Sequence, residues 1–267
     1  MCMIQTFNCI FVTMKFSRLL FLIFGLIVLH TTIMRAQTNP NEYVEEKPVL
    51  MKNEVTYGLN THTSGTIGIQ FRRSYNLTVN KKRIYEGDFI GMKHPKEVRT
   101  VNPYYDNAKS YVFGKLNTFN ILRIGTGYER TLYNKAERNG VEIRFVYSGG
   151  LSLGITKPIY LEILKPTPLT NQYDIVVEKY DPEIHFIDSI YGRASFIYGI
   201  NQLRFHPGGY AKIGFNFEYA PIFENVKALE IGAIIDVFPK EIPIMAFTKN
   251  KQFFLTFYIT LMFGNKW

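Results

Sequence analysis

Residues 210–219 read Tyr-Ala-Lys-Ile-Gly-Phe-Asn-Phe-Glu-Tyr, and their two sets of alternate positions differ in character throughout. Ala211, Ile213, Phe215, Phe217 and Tyr219 are apolar, whereas Lys212, Gly214, Asn216 and Glu218 are polar or lack a side chain. Successive strand residues point to opposite faces, so this period of two describes a strand with one greasy and one polar face. Leu229 to Val237 repeats the pattern, with Leu229, Ile231, Ala233, Ile235 and Val237 set against Glu230, Gly232, Ile234 and Asp236. Phe253 to Phe263 does so again.

Working upstream, the alternation recurs in Val55 to Asn60, Thr66 to Arg72, Ile84 to Met92, Leu122 to Arg130 and, over the longest stretch, Val141 to Ile155. Eight strands are therefore predicted. The composition agrees. Of 267 residues, 46% are apolar and 15% aromatic, with 22 Phe and 18 Tyr against a single Trp, which favours extended structure and excludes disordered and coiled-coil classes.

The N-terminal part reads as an export signal. Lys15 and Arg18 precede an apolar run from Leu19 to Leu29, too short for a membrane span, and Ala36 supplies a small residue for cleavage. A signal peptide is expected over residues 1–36, with 1–13 a candidate upstream extension because Met14 begins a complete signal. A polar periplasmic segment follows over 37–53. Cys2 and Cys9 fall before the mature start, which excludes a disulfide framework, a zinc cluster and a cysteine nucleophile from the rest. No cysteine stands at the cleavage site to carry a lipid. Of the 31 Lys and Arg, removing Lys15, Arg18 and Arg35 leaves 28 against 22 Asp and Glu, a net of +6. Export turns that charge away from nucleic acid and toward anionic lipid or lipopolysaccharide.

Alternation alone also suits a soluble antiparallel sandwich. Three features select an eight-stranded antiparallel transmembrane β-barrel over 54–267. The polar face is rich in Gly and in charges of both signs, as the inside of a narrow barrel demands. Connector lengths alternate, with a short first loop at 62–64, long extracellular loops at 94–117, 165–207 and 239–250, and short periplasmic turns at 76–82, 133–139 and 220–226. The last amphipathic strand ends in Phe263 and Trp267, read as an assembly signal.

Lys93-His94-Pro95-Lys96-Glu97, Phe113-Gly114-Lys115-Leu116-Asn117, Gly149 to Gly154 leading to Lys157-Pro158, and the stretches Val237 to Lys240 and Phe263 to Trp267 carry a resemblance. In them the chain resembles outer-membrane β-barrel proteins of the Bacteroidetes type, a mostly uncharacterised group. The resemblance implies fold and location and brings no activity with it.

Phase assigns Arg72, Glu86, Asp88, Arg123, Glu129, Glu142, Arg144, Lys212, Glu218, Glu230 and Asp236 to the interior. Paired carboxylates serve acid–base catalysis, but an interior so charged reads as a salt-bridged plug, and eight strands leave a bore that side chains fill. His62, His94, His185 and His206 have no metal-pair spacing. Ser148 and Ser152 point inward, away from lipid, and a charged interior offers no slot for an acyl chain. Gly65-Thr66-Ile67-Gly68 and Gly125-Thr126-Gly127 lie inside strands and are read as small residues at crowded positions rather than phosphate loops. Ile187, Ile190, Tyr191, Ala194, Ile197 and Tyr198 recur at helical spacing, giving a short helix or coil over the mouth. No catalytic residue, cofactor or metal is assigned.

Two further expectations concern register and surface. Pairing opposite charges across hairpins sets Glu129 opposite Arg144 (positions summing to 273) and Lys212 opposite Asp236 (448), the second register also setting Glu218 against Glu230 near the periplasmic rim, where water screens the repulsion. The strand from Val141 is expected to run on through Lys157 to Leu161 and project, bringing Tyr104, Tyr105, Tyr111, Phe113, Tyr173, Tyr180, Phe186 and Tyr191 to a rim suited to a partner protein or glycan. The functional expectation is a closed, non-porin barrel, structural or partner-binding through its extracellular loops. Its other partners would be outer-membrane lipid, lipopolysaccharide and, during biogenesis, the assembly machinery. The alternative is an outer-membrane enzyme acting on lipid A or surface polysaccharide, which needs a convergent nucleophile and base.

Overall fold

The computed structural model describes residues 53–105, 107–135, 140–166, 173–219 and 225–267. The expected signal peptide, and all of the 37–53 segment except Asn53, lie outside the described residues. In chain order the strands are β1 (Asn53–His62), β2 (Ile67–Thr78), β3 (Lys81–Met92), β4 (Arg99–Thr100), β5 (Tyr111–Val112), β6 (Asn117–Tyr133), β7 (Glu142–Pro158), β8 (Tyr160–Pro166), β9 (Tyr173–Lys179), β10 (Ile190–Arg193), β11 (Arg204–Glu218), β12 (Asn225–Ile242) and β13 (Lys251–Lys266). Eight of them form a closed antiparallel barrel in the order β1-β2-β3-β6-β7-β11-β12-β13, and β13 pairs back to β1 from Glu54↔Lys266 to His62↔Tyr258. Each predicted strand lies within one of these eight or overruns it by a residue.

The three long connections leave one end of the ring, together with the short turn between β1 and β2, and the connections after β2, β6 and β11 leave the other. At the short-turn end, the β2–β3 pairing continues to Thr78↔Lys81, so the turn is only Val79–Asn80, tighter than the expected 76–82. At the long-loop end, β8, β9 and β10 form a separate three-stranded sheet in the order β10-β8-β9, and β4 pairs with β5. Among the described residues of 165–207 are the end of β8, all of β9 and β10 and the first four residues of β11. Of the helix or coil expected over 187–198, no helix longer than one turn forms. Ile187–Ser189 and Ile200–Gln202 are single 3₁₀ turns and Ile190 sits fully buried in β10, so the helical spacing of apolar residues came from a strand flanked by turns. The strand expected to run on from Val141 through Leu161 is broken at Ile159, between β7 and β8.

Both predicted registers are two residues out. Observed pairs in the β6–β7 hairpin sum to 275, setting Glu129 opposite Val146 and Thr131 opposite Arg144. Those in β11–β12 sum to 446, setting Lys212 opposite Ile234, and Tyr210 opposite Asp236. The cause is packing. The 275 register brings Gly125 opposite Gly150, where an added Cβ on Gly125 would run into the Tyr210 hydroxyl. The 446 register brings Gly214 opposite Gly232, where an added Cβ on Gly232 would lie 2.8 Å from the Tyr258 ring. Each tyrosine lies across a pair of facing glycines, and registers of 273 or 448 would replace one of them by Ser148 or Ile234. The observed register also places Glu218 opposite Ala228, removing the Glu218–Glu230 confrontation that a sum of 448 entails.

Candidate functional site: a charged bore beneath a folded cap

Burial along the barrel is inverted relative to a soluble protein. Outward residues such as Leu59 (55%), Ile69 (62%), Leu151 (76%) and Leu255 (63%) are exposed, while the charged Arg72 (1%), Arg123 (1%), Glu230 (0%) and Asp236 (0%) are buried. The wall is greasy and the core is ionic. This is an inside-out barrel.

Alternation delivers the inward side chains to three levels. Nearest the long-loop end, Arg123 grips Asp236 through Nε (2.9 Å) and Nη2 (2.8 Å) and reaches Asp88 at 2.7 Å, while the Asn60 amide also donates to Asp88. At mid-height Arg72 donates to Glu86 (3.0 Å), Glu129 (2.9 Å) and both oxygens of Glu230 (2.6 and 2.9 Å). Lys212 sits 3.0 Å from Glu230 and 3.3 Å from Glu86. Ser148, Tyr210 and Tyr258 hydroxyls donate to the same two carboxylates. Nearest the short turns, Arg144 binds Glu218 and Glu142 (2.7 Å) and lies 3.8 Å from Glu54 and Glu129, with Lys82 on Glu54 and Lys266 on Glu218.

Every interior charge expected from phase faces this bore; Glu142, at the rim, is the half-buried one. Glu54, Lys82 and Lys266 join the network although the sequence reading did not name them. All three lie on the inward, even-numbered face of their strands, just beyond the limits drawn for them at 55–60, 84–92 and 253–263. Arg72–Glu86 and Asp88–Arg123 pair directly across neighbouring strands, but in the two hairpins used to set register Glu129 reaches across the lumen to Arg72 and Lys212 to Glu86, which is why charge pairing did not fix register there.

The expectation of a wholly charged interior is corrected above Arg123. There Ile90, Met92, Phe119, Ile121, Phe238 and Ile244 form an apolar plug, with Phe254 packed on it. Gly154 faces inward beneath Phe119, with room for no larger side chain. The plug fills the mouth with apolar side chains.

Above the plug, Tyr111, Leu161, Ile163, Tyr180 and Ile190 make a second core that binds β5, β8 and β10 together. Tyr111 and Tyr180 are each 3% exposed, so they are not part of the expected binding rim: they pack the cap. Phe113 rests on the Tyr180 ring, and Tyr105 contacts Tyr191 edge-on. Tyr104, Tyr173 and Phe186 remain outward at 77%, 64% and 66% exposure. Burial pushes the Tyr111 and Tyr180 phenols above the usual tyrosine range. A hydrogen bond from Lys165 holds Glu178 below the usual carboxylate range, helped by His185, whose Nε2 lies 3.3 Å away.

The other sequence candidates have structural duties. His62 Nδ1 lies 3.2 Å from the Thr256 hydroxyl, His206 Nε2 3.0 Å from that of Thr156, and His185 stacks on Tyr180. His94 accepts the Lys96 N–H in the turn after β3. Ser152 is buried in the bore. Among the described residues no group of three His, Cys, Asp or Glu is placed to hold a metal ion.

No protein-family model and no curated protein matches the chain. Among solved structures, the crystal structure of Neisserial surface protein A (NspA) is similar at 9% identity and a TM-score of 0.39, over 80% of this chain and 96% of that one. At that distance only the chain's own geometry bears on what it does.

Proposed function

We propose that the protein is an outer-membrane β-barrel of the kind its Bacteroidetes-type resemblance implies, closed by its ionic bore, and carrying a folded extracellular cap that binds a surface protein or glycan. The observation that carries this reading is the inverted burial of the wall. A contiguous apolar belt around a whole barrel is unfavourable in water and favourable in hydrocarbon, where a closed ring also leaves no backbone group unpaired. A bilayer needs only about 9–11 residues per strand. The β7 and β12 strands, at 17 and 18 residues, exceed that, and their excess extends toward the cap.

The direction follows from the ends. Short turns belong to the periplasm and long loops to the cell surface, so an exported chain would expose Tyr104, Tyr173 and Phe186 outside the cell. Membrane lipid and lipopolysaccharide would surround the wall, and the assembly machinery would read the strand that ends in Phe263 and Trp267. A binding role is favoured over modification of lipid A or polysaccharide because each bore carboxylate is already held by a cation or hydrogen-bonded, which suits a plug better than an acid or base. The test uses single cysteines at Tyr104 and at Lys227, an outward residue near the short turns. An impermeant maleimide should label Tyr104→Cys on intact cells and Lys227→Cys only after permeabilisation. Labelling in the reverse order, or a soluble protein, overturns the reading.

A further inference from the structure

The cap and the barrel mouth enclose a cleft of about 590 Å³ whose walls include Lys93, Arg99, Lys109, Lys115, Lys157 and Arg193. Two of these cations are neutralised in place, Lys115 by Glu97 at 2.6 Å and Lys109 by Glu162 at 2.8 Å. Lys93, Arg99, Lys157 and Arg193 form no ion pair among the described residues. Lys157 is the informative one. The residue is 7% exposed, and its ammonium donates to the Phe196 carbonyl (2.9 Å) and the Tyr198 carbonyl (3.2 Å) while lying 4.1 Å from the centre of the Phe196 ring. An ammonium has three N–H donors, so one is left over, and a buried cation without a counter-anion is costly. An anion in the cleft would offset that cost.

The remaining lining narrows the class of anion. Ser110, Thr118 and Ser195 offer hydroxyls, and Tyr160 and Phe196 offer aromatic surface. Sugars present both hydroxyls and apolar C–H faces, and a small-molecule cleft typically measures about 300–1,000 Å³. Arginine forks suit phosphate oxygens two at a time. We infer that the cleft binds a phosphorylated saccharide, with Arg99, Arg193 and Lys157 on the phosphate and the hydroxyl-lined wall on the sugar. The choice of a saccharide rests on the cell-surface reading above, since that is what the loop end would meet. The same chemistry is available from a lipid-borne saccharide in the membrane or from a soluble one.

The test is calorimetric titration of the full-length protein, folded in detergent micelles at low salt, with glucose 1-phosphate, glucose and inorganic phosphate. Glucose 1-phosphate should bind tightest, and Arg99→Gln/Arg193→Gln should weaken it by about tenfold or more, as the loss of two charge-assisted contacts implies. Both arginines are exposed, so the variant should keep the gel mobility of the folded barrel. Lys157→Met should weaken binding as well, and Lys227→Gln at the far end should not. Displacement by purified lipopolysaccharide would identify a membrane-borne source, and its failure a soluble one; either supports the site. Equal binding of glucose, equal binding of inorganic phosphate, or an unaffected double variant overturns the proposal. The titration does not depend on location. A surface-labelled protein blind to glucose 1-phosphate loses this inference alone, and a protein that binds it but is not surface-labelled loses only the cell-surface reading.

Discussion

Replacing Arg72 by Met should be the most damaging single change in the bore. The guanidinium is 1% exposed and is shared by three carboxylates, Glu86, Glu129 and Glu230, through four hydrogen bonds of 2.6 to 3.0 Å. Without it, Lys212 is the one cation left within ion-pair distance of Glu86 and Glu230 among the described residues, their other donors being neutral, and Glu129 keeps only Arg144 at 3.8 Å. Removing one partner of a buried pair costs about 3–5 kcal/mol, and here three partners are stranded, so the upper part of that range applies. That is roughly a thousandfold in the folding equilibrium. By contrast, Lys165→Met breaks only the half-exposed pair with Glu178 and should cost under about 1 kcal/mol. Urea unfolding in lipid vesicles can be followed by the single Trp267, whose backbone pairs with Asn53 where the barrel closes. Adding Glu230→Gln to Arg72→Met removes one stranded charge and should recover part of the loss. If Arg72→Met costs less than about 1 kcal/mol, or if Glu230→Gln deepens the defect, the ionic bore is not what closes the barrel.

Other changes probe other parts of the molecule. Gly232→Val would drive a side chain into the Ile213 carbonyl and the Tyr258 ring; barrel assembly in vesicles should fail or slow, whereas Ala233→Val on the outer wall should fold normally. Burial raises the Tyr111 and Tyr180 pKa values above 10, so their contribution to the cap is present below about pH 10 and is lost as pH rises through the raised values. Tyr111→Phe and Tyr180→Phe should therefore blunt the alkaline loosening of the cap seen in proteolysis. Replacing residues 160–200 with a short Gly/Ser linker should leave the barrel folded by gel mobility, because β11 begins at Arg204 and the barrel ring contains none of the removed strands.

The strands were legible because period two is enforced on both faces at once: lipid-like exposure selects Phe253, Leu255 and Phe257 on one side, and a crowded bore selects Glu230, Gly232 and Asp236 on the other. Loop placement followed from connector length. Register was not legible from charge, since Arg72 collects partners from β6 and β12 across the lumen as well as Glu86 directly opposite it on β3. The better guide was present in the facing pairs Gly125–Gly150 and Gly214–Gly232, each beneath an inward tyrosine. The cap was missed because β8, β9 and β10 are short, β9 has no buried face, and the β8–β10 pairing is irregular between Ile190 and Gly192. Without a long alternating run to mark the cap, Tyr111 and Tyr180 looked like rim residues. The cationic cleft was invisible in sequence, as Arg99, Lys157 and Arg193 come from three separate segments.

The central claim is that the apolar wall meets a bilayer and the ring is closed around its charges. It is tested most directly by separating the cell envelope into membranes and running each fraction on a denaturing gel with and without boiling. A closed barrel resists detergent until heated, since it offers no free strand edge. The protein should sediment with the outer membrane and change its apparent size on boiling. Recovery in a soluble fraction with β-structure intact, or identical mobility before and after boiling, would contradict it.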